Sequence, residues 1–293
     1  MNKRVLAFIL AFTASIIYGI SFTIAKEVMP LYVKPFGFIL LRVSGATLLF
    51  WLISFSIPKE KIARKDFFVI FLSAVFGVAL NMLTFFKGLS LTTPINGSVI
   101  MTTTPIIVLI FSFIILYEKI TTRKITGILI GMLGTIILIT YGPKAVLNAP
   151  NIKLGNFLVF INAASYGMYL IVSKQLLKKY HPFHLVKWIY LFGLIMVLPF
   201  GFHQVSIIDW QGIPMEGLYK IGFIVVFTTF LTYLFNIMAL RHVKASTLSV
   251  FLYLQPLVAS IYAIAVGSDQ LDTIKLIAAT LIFLGVYLAS KRN

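Results

Sequence analysis

Residues 89–138 read LSLTTPINGSVIMTTTPIIVLIFSFIILYEKITTRKITGILIGMLGTIIL. Two apolar runs of membrane-spanning length stand in this stretch, at about 95–117 and about 124–141. The hydrocarbon core of a bilayer is roughly 30 Å thick and takes about 20 apolar helical residues to cross. Between the runs only Glu118, Lys119, Thr121, Thr122 and Arg123 interrupt the hydrophobicity, so the chain turns there and re-enters. Pro105 sits inside the first run, and Gly127, Gly131 and Gly134 line the second.

The same criterion, carried outward in both directions, finds eight more spans. They lie at about 5–25, 35–57, 67–87, 154–173, 184–202, 218–240, 245–266 and 272–290. Composition agrees: the 293 residues are 60% hydrophobic and only 11% charged, with a mean hydropathy of +1.00. Soluble domains carry roughly 25% charged residues. The fold class is therefore an all-α integral membrane protein of ten transmembrane helices, with short connections. The first run reaches spanning length and has an internal counterpart, so it is expected to be retained as a helix rather than cleaved as a signal peptide.

Lys and Arg in short loops collect on the cytoplasmic side of a membrane. With the N-terminus inside, the inner segments hold seventeen of these residues and the outer segments seven, with Arg42 inside a span. Both termini are expected in the cytoplasm, in a plasma membrane and specifically a bacterial inner membrane. The net charge of +17 is read as this topological signal and not as a nucleic-acid surface.

The two halves resemble each other. A shift of 148 lays Tyr18-Gly19 on Tyr166-Gly167 and Lys26 on Lys174. A shift of 151 lays Leu89, Ser98 and Pro105 on Leu240, Ser249 and Pro256. It also lays Glu118, Thr122 and Gly134 on Asp269, Thr273 and Gly285. The expected organisation is a first five-helix repeat at 1–142, a connecting loop at 143–153 and a second repeat at 154–293. Five is odd, so the second copy enters the membrane from the opposite side. Inverted repeats of this kind let many secondary transporters exchange two conformations.

The run Leu-x5-Ile-Asn-Gly-Ser, Thr-Pro-Ile, Tyr-Glu-Lys-Ile-Thr and Gly-x3-Gly-x2-Gly between Leu89 and Leu138 resembles the EamA-type domain of the drug/metabolite transporter superfamily. Leu240, Ser246, Gln255-Pro256, Ser268-Asp269, Thr273 and Gly285 look like a degraded second copy. Pro35 to Arg42 resembles the family's second helix. The resemblance implies a ten-helix carrier of small metabolites with no enzymatic activity and no cofactor. Members move amino acids, nucleotide sugars, sugar phosphates, purines or drugs, many bacterial ones by efflux.

Polar groups inside lipid are costly unless they are paired or face a cavity. Matched positions in the two halves nominate substrate-binding candidates. They are Tyr18 and Ser21 with Tyr166 and Tyr169, Asn81 and Phe85 with Thr232 and Asn236, and Thr102 with Tyr253. Such residues suit a neutral or zwitterionic, amino-acid-like molecule. They also suit interhelical hydrogen bonding, worth about 0.6–2 kcal/mol. Arg42 lies seven residues into its span and either snorkels outward or binds an anionic group, which would admit a phosphorylated or nucleotide-type substrate. Lys174 is read as snorkelling, and Glu118 and Asp269 as turns or caps for the helices that follow.

Residue types weigh against other classes, with a channel kept as the less favoured alternative. The chain has no Cys, hence no disulfide and no thiolate metal site. His181 and His184 flank Pro182 and are read as a solvated loop rather than metal ligands. A channel would show a repeated filter or a charged ring, and an embedded enzyme would need a nucleophile or acid pair within the spans. None of the eight Asp and Glu residues lies at mid-span, which favours facilitated transport or exchange over proton coupling. The expected partners are a small-molecule substrate and membrane lipid, and no nucleic acid. Gly127-x3-Gly131 fits packing within a monomer or a homodimer contact.

Overall fold

The computed structural model describes residues 2–29, 31–92, 94–141, 150–265 and 271–291. Asp269, Lys144 and the side chain of Lys26 lie outside the described residues. Ten helices long and apolar enough to cross a membrane follow one another. They are α1 (Lys3–Val28), α2 (Pro35–Ser54), α3 (Arg64–Leu91), α4 (Asn96–Leu116), α5 (Thr122–Thr140), α6 (Ile152–Leu176), α7 (Pro182–Ser206), α8 (Met215–His242), α9 (Ala245–Tyr262) and α10 (Thr273–Ser290).

Polar residues just ahead of the spans start the helices. Asn2, Thr121, Asn151 and Asp272 each accept a backbone N–H from the first turn of α1, α5, α6 and α10. Pro35 and Pro182 begin α2 and α7, where no N–H is needed. Large apolar side chains stay exposed along the outer faces, Val5, Ile9 and Phe12 on α1 and Leu276, Ile277 and Phe283 on α10 among them. Lipid tails cover such a belt.

The packing survives exchange of the halves. Helix α1 packs on α8 and α9, and its counterpart α6 packs on α3 and α4. Helix α2 packs on α7, and α5 on α10. Gly45 of α2 leaves room for Val225 of α8, and Gly193 of α7 does the same for Val78 of α3. The glycine face of α5 is spent inside the chain: a Cβ at Gly127 would stand 2.6 Å from the Ala289 nitrogen and 2.8 Å from the Gly285 oxygen of α10.

Helices α3 and α8 each contain a π-helical segment, Val75–Ala79 and Ile224–Leu231. Shifting the first by 151 places it at 226–230, inside the second. Backbone groups freed in a membrane span must find partners in neighbouring helices. Ser165 of α6 donates to the Phe76 carbonyl at 2.7 Å, and the Tyr233 hydroxyl of α8 to the Gly77 carbonyl at 3.0 Å.

Helices α4 and α9 are irregular at matching places too. Helix α4 breaks at Thr102–Thr103 and restarts at Thr104, just before Pro105. In α9 a 3-10 turn, Ser249–Tyr253, precedes Pro256. Proline removes an N–H and crowds the carbonyl four residues back. The Met101 carbonyl is repaid by the Thr104 hydroxyl at 2.7 Å, and the Thr102 carbonyl by the Tyr253 hydroxyl at 3.1 Å.

Candidate functional site

Arg42 points into the bundle. The side chain is 9% exposed, and its Nε–H donates to the Thr229 hydroxyl at 3.0 Å. Thr229 is presented by the π segment of α8 and in turn donates to the Ile224 carbonyl at 2.8 Å. The guanidinium carbon lies 5.7 Å from the Phe38 ring centre and 5.8 Å from that of Phe86. No carboxylate lies within ion-pair distance among the described residues, and there the two terminal nitrogens have no acceptor. Of the two sequence readings, snorkelling is thereby set aside.

A buried cation is costly without a counter-charge. Two aromatic faces and one hydroxyl compensate it in part.

Five tyrosines gather on that side. The Tyr18 hydroxyl is within reach of Thr232 and Asn236, with Arg42 close by. Tyr166 and Tyr169 stand 6.0 Å apart, Tyr169 and Tyr233 6.1 Å, and Tyr190 and Tyr233 5.2 Å. Tyr169 is seated in the notch left by Gly77. The buried hydroxyls of Tyr169 and Tyr190 make no well-formed hydrogen bond. That of Tyr166 has no partner among the described residues either. The centre is thus an aromatic cage with one cation in its wall and several donors in reserve.

Six of the sequence candidates meet here: Tyr18, Arg42, Tyr166, Tyr169, Thr232 and Asn236. Phe85 contributes indirectly, its ring edge-on to Phe86 at 5.3 Å. The Thr232 hydroxyl also donates to the Thr228 carbonyl, and the remaining candidates likewise spend their polar groups on neighbours. The Asn81 side-chain amide donates to the Asn162 backbone carbonyl at 3.3 Å, and the Asn162 side-chain amide donates to the Asn81 backbone carbonyl at 2.8 Å, which ties α3 to α6. Ser21 shares a hydrogen with Thr228 at 2.5 Å and ties α1 to α8. Thr102 and Tyr253 bond each other between α4 and α9, with the Tyr253 ring filling the notch of Gly131.

Tyr190, Tyr233 and Thr229 were not among the candidates. Shifting Arg42 by 148 lands on Tyr190, so the internal repeat carried a signal for that one.

On the face that bears both termini, a second cluster closes the bundle. Glu118 accepts the Ala245 N–H at 3.2 Å and the Ser246 hydroxyl, while Lys124 donates to Ser246 at 2.7 Å. Glu118 therefore caps α9 across the halves; Thr121 takes the cap of the helix that follows it. Lys174 does not snorkel. It donates to the Leu240 and Val243 carbonyls at 2.5 and 2.8 Å, satisfying the end of α8. Asp66 binds Lys179 at 2.9 Å and Tyr180 at 2.7 Å, and Glu60 accepts the His181 N–H at 2.8 Å. His184 contacts the Pro58 carbonyl at 3.0 Å. Among the described residues no group of three or more acids and histidines could hold a metal.

The opposite face is joined by a Glu27–Lys220 ion pair at 2.6 Å and by the Gly37 N–H on Gln204 at 2.9 Å. Each of these links joins segments that the basic-loop pattern assigns to one side.

Known proteins agree with this architecture. A crystal structure superposes with a TM-score of 0.80 at 15% identity, covering 97% of this chain and 96% of its own, which speaks for the fold alone. The uncharacterized transporter YyaM of Bacillus subtilis (strain 168) is 26% identical over 98% of this chain and 94% of its own length. An uncharacterized transporter of Archaeoglobus fulgidus is 28% identical over 97% and 98%. The EamA-like transporter family is matched twice, over residues 5–140 and 153–291. A ten-helix bundle whose two halves each carry that domain is a membrane transporter, and the chain belongs to the EamA-like transporter family.

Proposed function

We propose that the protein is a secondary carrier for a small amino-acid-like metabolite, which presents a carboxylate to Arg42 and its body to the tyrosine cage. Arg42 carries the reading: a buried guanidinium with free terminal nitrogens, facing the interior and lacking a carboxylate partner. Guanidinium and carboxylate match as a two-point fork. The Tyr18, Tyr166, Tyr169, Tyr190 and Tyr233 rings offer apolar surface, hydroxyl donors and π faces that can receive an ammonium. A phosphate dianion or a nucleotide would ask for a second cation. Among the described residues of the cage there is none.

Transport proceeds by alternating access, with the two five-helix halves inverted relative to each other and exchanging conformations. The π segments of α3 and α8 and the breaks in α4 and α9 fall at symmetry-matched places beside the cage, where bending would open one side or the other. The Glu118 cluster holds the face with both termini closed; that face is the cytoplasmic one on the basic-loop pattern. Export is the direction that the family resemblance implies.

The test is counterflow into liposomes with matched sets of carboxylic acid, amide and alcohol. The carboxylates should exchange and their amides should not, and Arg42→Gln should abolish the preference. Equal exchange of acid and amide, or a variant that keeps the preference, would refute the reading.

A further inference from the structure

On the face that carries both termini, several cations are already engaged. Lys124 binds Ser246, Lys174 the end of α8, Lys179 Asp66, Arg4 the Ser290 carbonyl at 2.6 Å, and Lys187 lies 4.9 Å over the Trp51 ring. Arg241, at the last turn of α8, is exposed; its carbonyl accepts from Lys174 at 3.4 Å, while its guanidinium has no hydrogen-bond or ion-pair partner among the described residues. It stands at the mouth of a slot of about 100 Å³ between α1, α7 and α8. Leu6, Leu10 and Met238 form the apolar part of the slot, and His181, Arg241 and His242 its polar rim.

Like charges are crowded at this rim. Arg241 is near enough to repel a charge on either histidine, and Lys3 and Lys174 add to that at His242. Partial burial, then Arg241 and His184, hold the His181 imidazole below its ordinary range against the pull of Glu60. The positive-inside pattern explains why basic residues lie on one face. It does not explain why His181, at the start of α7, meets Arg241 and His242, at the end of α8, over an apolar slot at the membrane interface.

We propose that this slot binds the headgroup of an anionic phospholipid, with the phosphate on Arg241 and the histidines and the first acyl carbons along Leu6, Leu10 and Met238. A volume near 100 Å³ is well above what one water needs and leaves room for a phosphate group at the rim. Basic pockets between spans are recognised by such headgroups, and juxtamembrane cations are drawn to anionic lipid. Substrate transport through the cage does not enter into it.

The experiment is thermal unfolding of the purified full chain in neutral detergent, titrated with phosphatidylglycerol, phosphatidylcholine or inorganic phosphate. Phosphatidylglycerol should raise the Tm above the other two. Arg241→Gln should weaken its apparent affinity about fivefold, the effect of one basic side chain at a membrane surface. Leu10→Trp, which fills the slot and leaves the charge, should weaken it too. Lys119→Gln removes an equal charge from an exposed loop of the same face and should leave the affinity unchanged. Equal shifts with phosphatidylcholine, equal shifts with phosphate alone, or equal losses in Lys119→Gln and Arg241→Gln would each overturn the assignment.

Discussion

The Glu118 carboxylate, from the first half of the chain, accepts the Ala245 N–H at 3.2 Å at the start of α9 in the second half. Tyr117 makes this possible by taking a left-handed conformation, φ 54°, at the end of α4. That conformation costs an ordinary residue roughly 1–2 kcal/mol. It turns the chain so that the next side chain reaches α9 while also lying 3.9 Å from the Lys124 ammonium of α5. The contact is a latch between the halves, closed on the face of the termini.

On the proposed alternating access, opening that face breaks this contact, so weakening it should expose the interior from that side. Glu118→Gln keeps the shape and an acceptor but removes the charge that strengthens the bonds from Ala245 and Ser246 and pairs with Lys124, a loss of about 0.5–2 kcal/mol. The chain has no Cys, so one introduced at Thr247, which is buried just behind the latch, reports access cleanly. Labelling of Thr247→Cys by a membrane-impermeant thiol reagent should be about tenfold faster in the Glu118→Gln background. Unchanged labelling would mean that the contact only caps a helix.

The α5–α10 seam predicts a stability effect without an effect on assembly. A Cβ at Gly127 meets backbone atoms of α10 at 2.6 and 2.8 Å, and backbone cannot rotate away. Overpacking of this kind costs about 1–3 kcal/mol. Gly127→Ala should lower the Tm by several degrees, while light scattering in detergent gives the same mass as the parent. A change of oligomeric state with an unchanged Tm would place the glycine face at a subunit contact instead.

Two tyrosines of the cage should behave oppositely. Tyr233 donates to the Gly77 carbonyl, a group freed by the π segment. Phenylalanine there strands a buried acceptor, at about 1–3 kcal/mol. The Tyr190 hydroxyl has no well-formed bond to lose. Tyr190→Phe should therefore leave the Tm within about a degree of the parent and weaken substrate binding, whereas Tyr233→Phe should lower the Tm first. Thermal unfolding with and without ligand separates the two.

The ten spans were legible because a bilayer imposes length and apolarity on every crossing segment. The repeat was legible because Tyr-Gly, Pro, acid and Gly recur in order. Residue roles were less so. An Arg one or two turns inside a span can reach either way, and the sequence does not show that Thr229 on the α8 π segment and the Phe38 and Phe86 rings meet Arg42 inside the bundle. Asn81 looked like a cavity wall because hydropathy cannot show that Asn162 lies opposite to satisfy it. Tyr190 was passed over because a search for like residues at matched depths does not pair Arg with Tyr. Glu118 reads locally as a cap for α5, and Thr121 had already taken that place.

Arg42 also bears on the charge of the substrate. With one cation and no acid in the described cage, a bound monoanion leaves the site neutral, while a zwitterion leaves it at +1 and must lodge its ammonium on tyrosine faces. Such contacts are worth about 0.5–2 kcal/mol each, depending on how far the cation is desolvated. An amino acid should thus bind within about tenfold of its 2-oxo analogue at pH 7, in competition for counterflow. The gap should widen in favour of the oxo acid when Tyr166 or Tyr18 is replaced by Leu, because only the ammonium needs the ring. If both analogues weaken equally in those variants, the tyrosines supply apolar surface alone and the carrier is one for simple carboxylates.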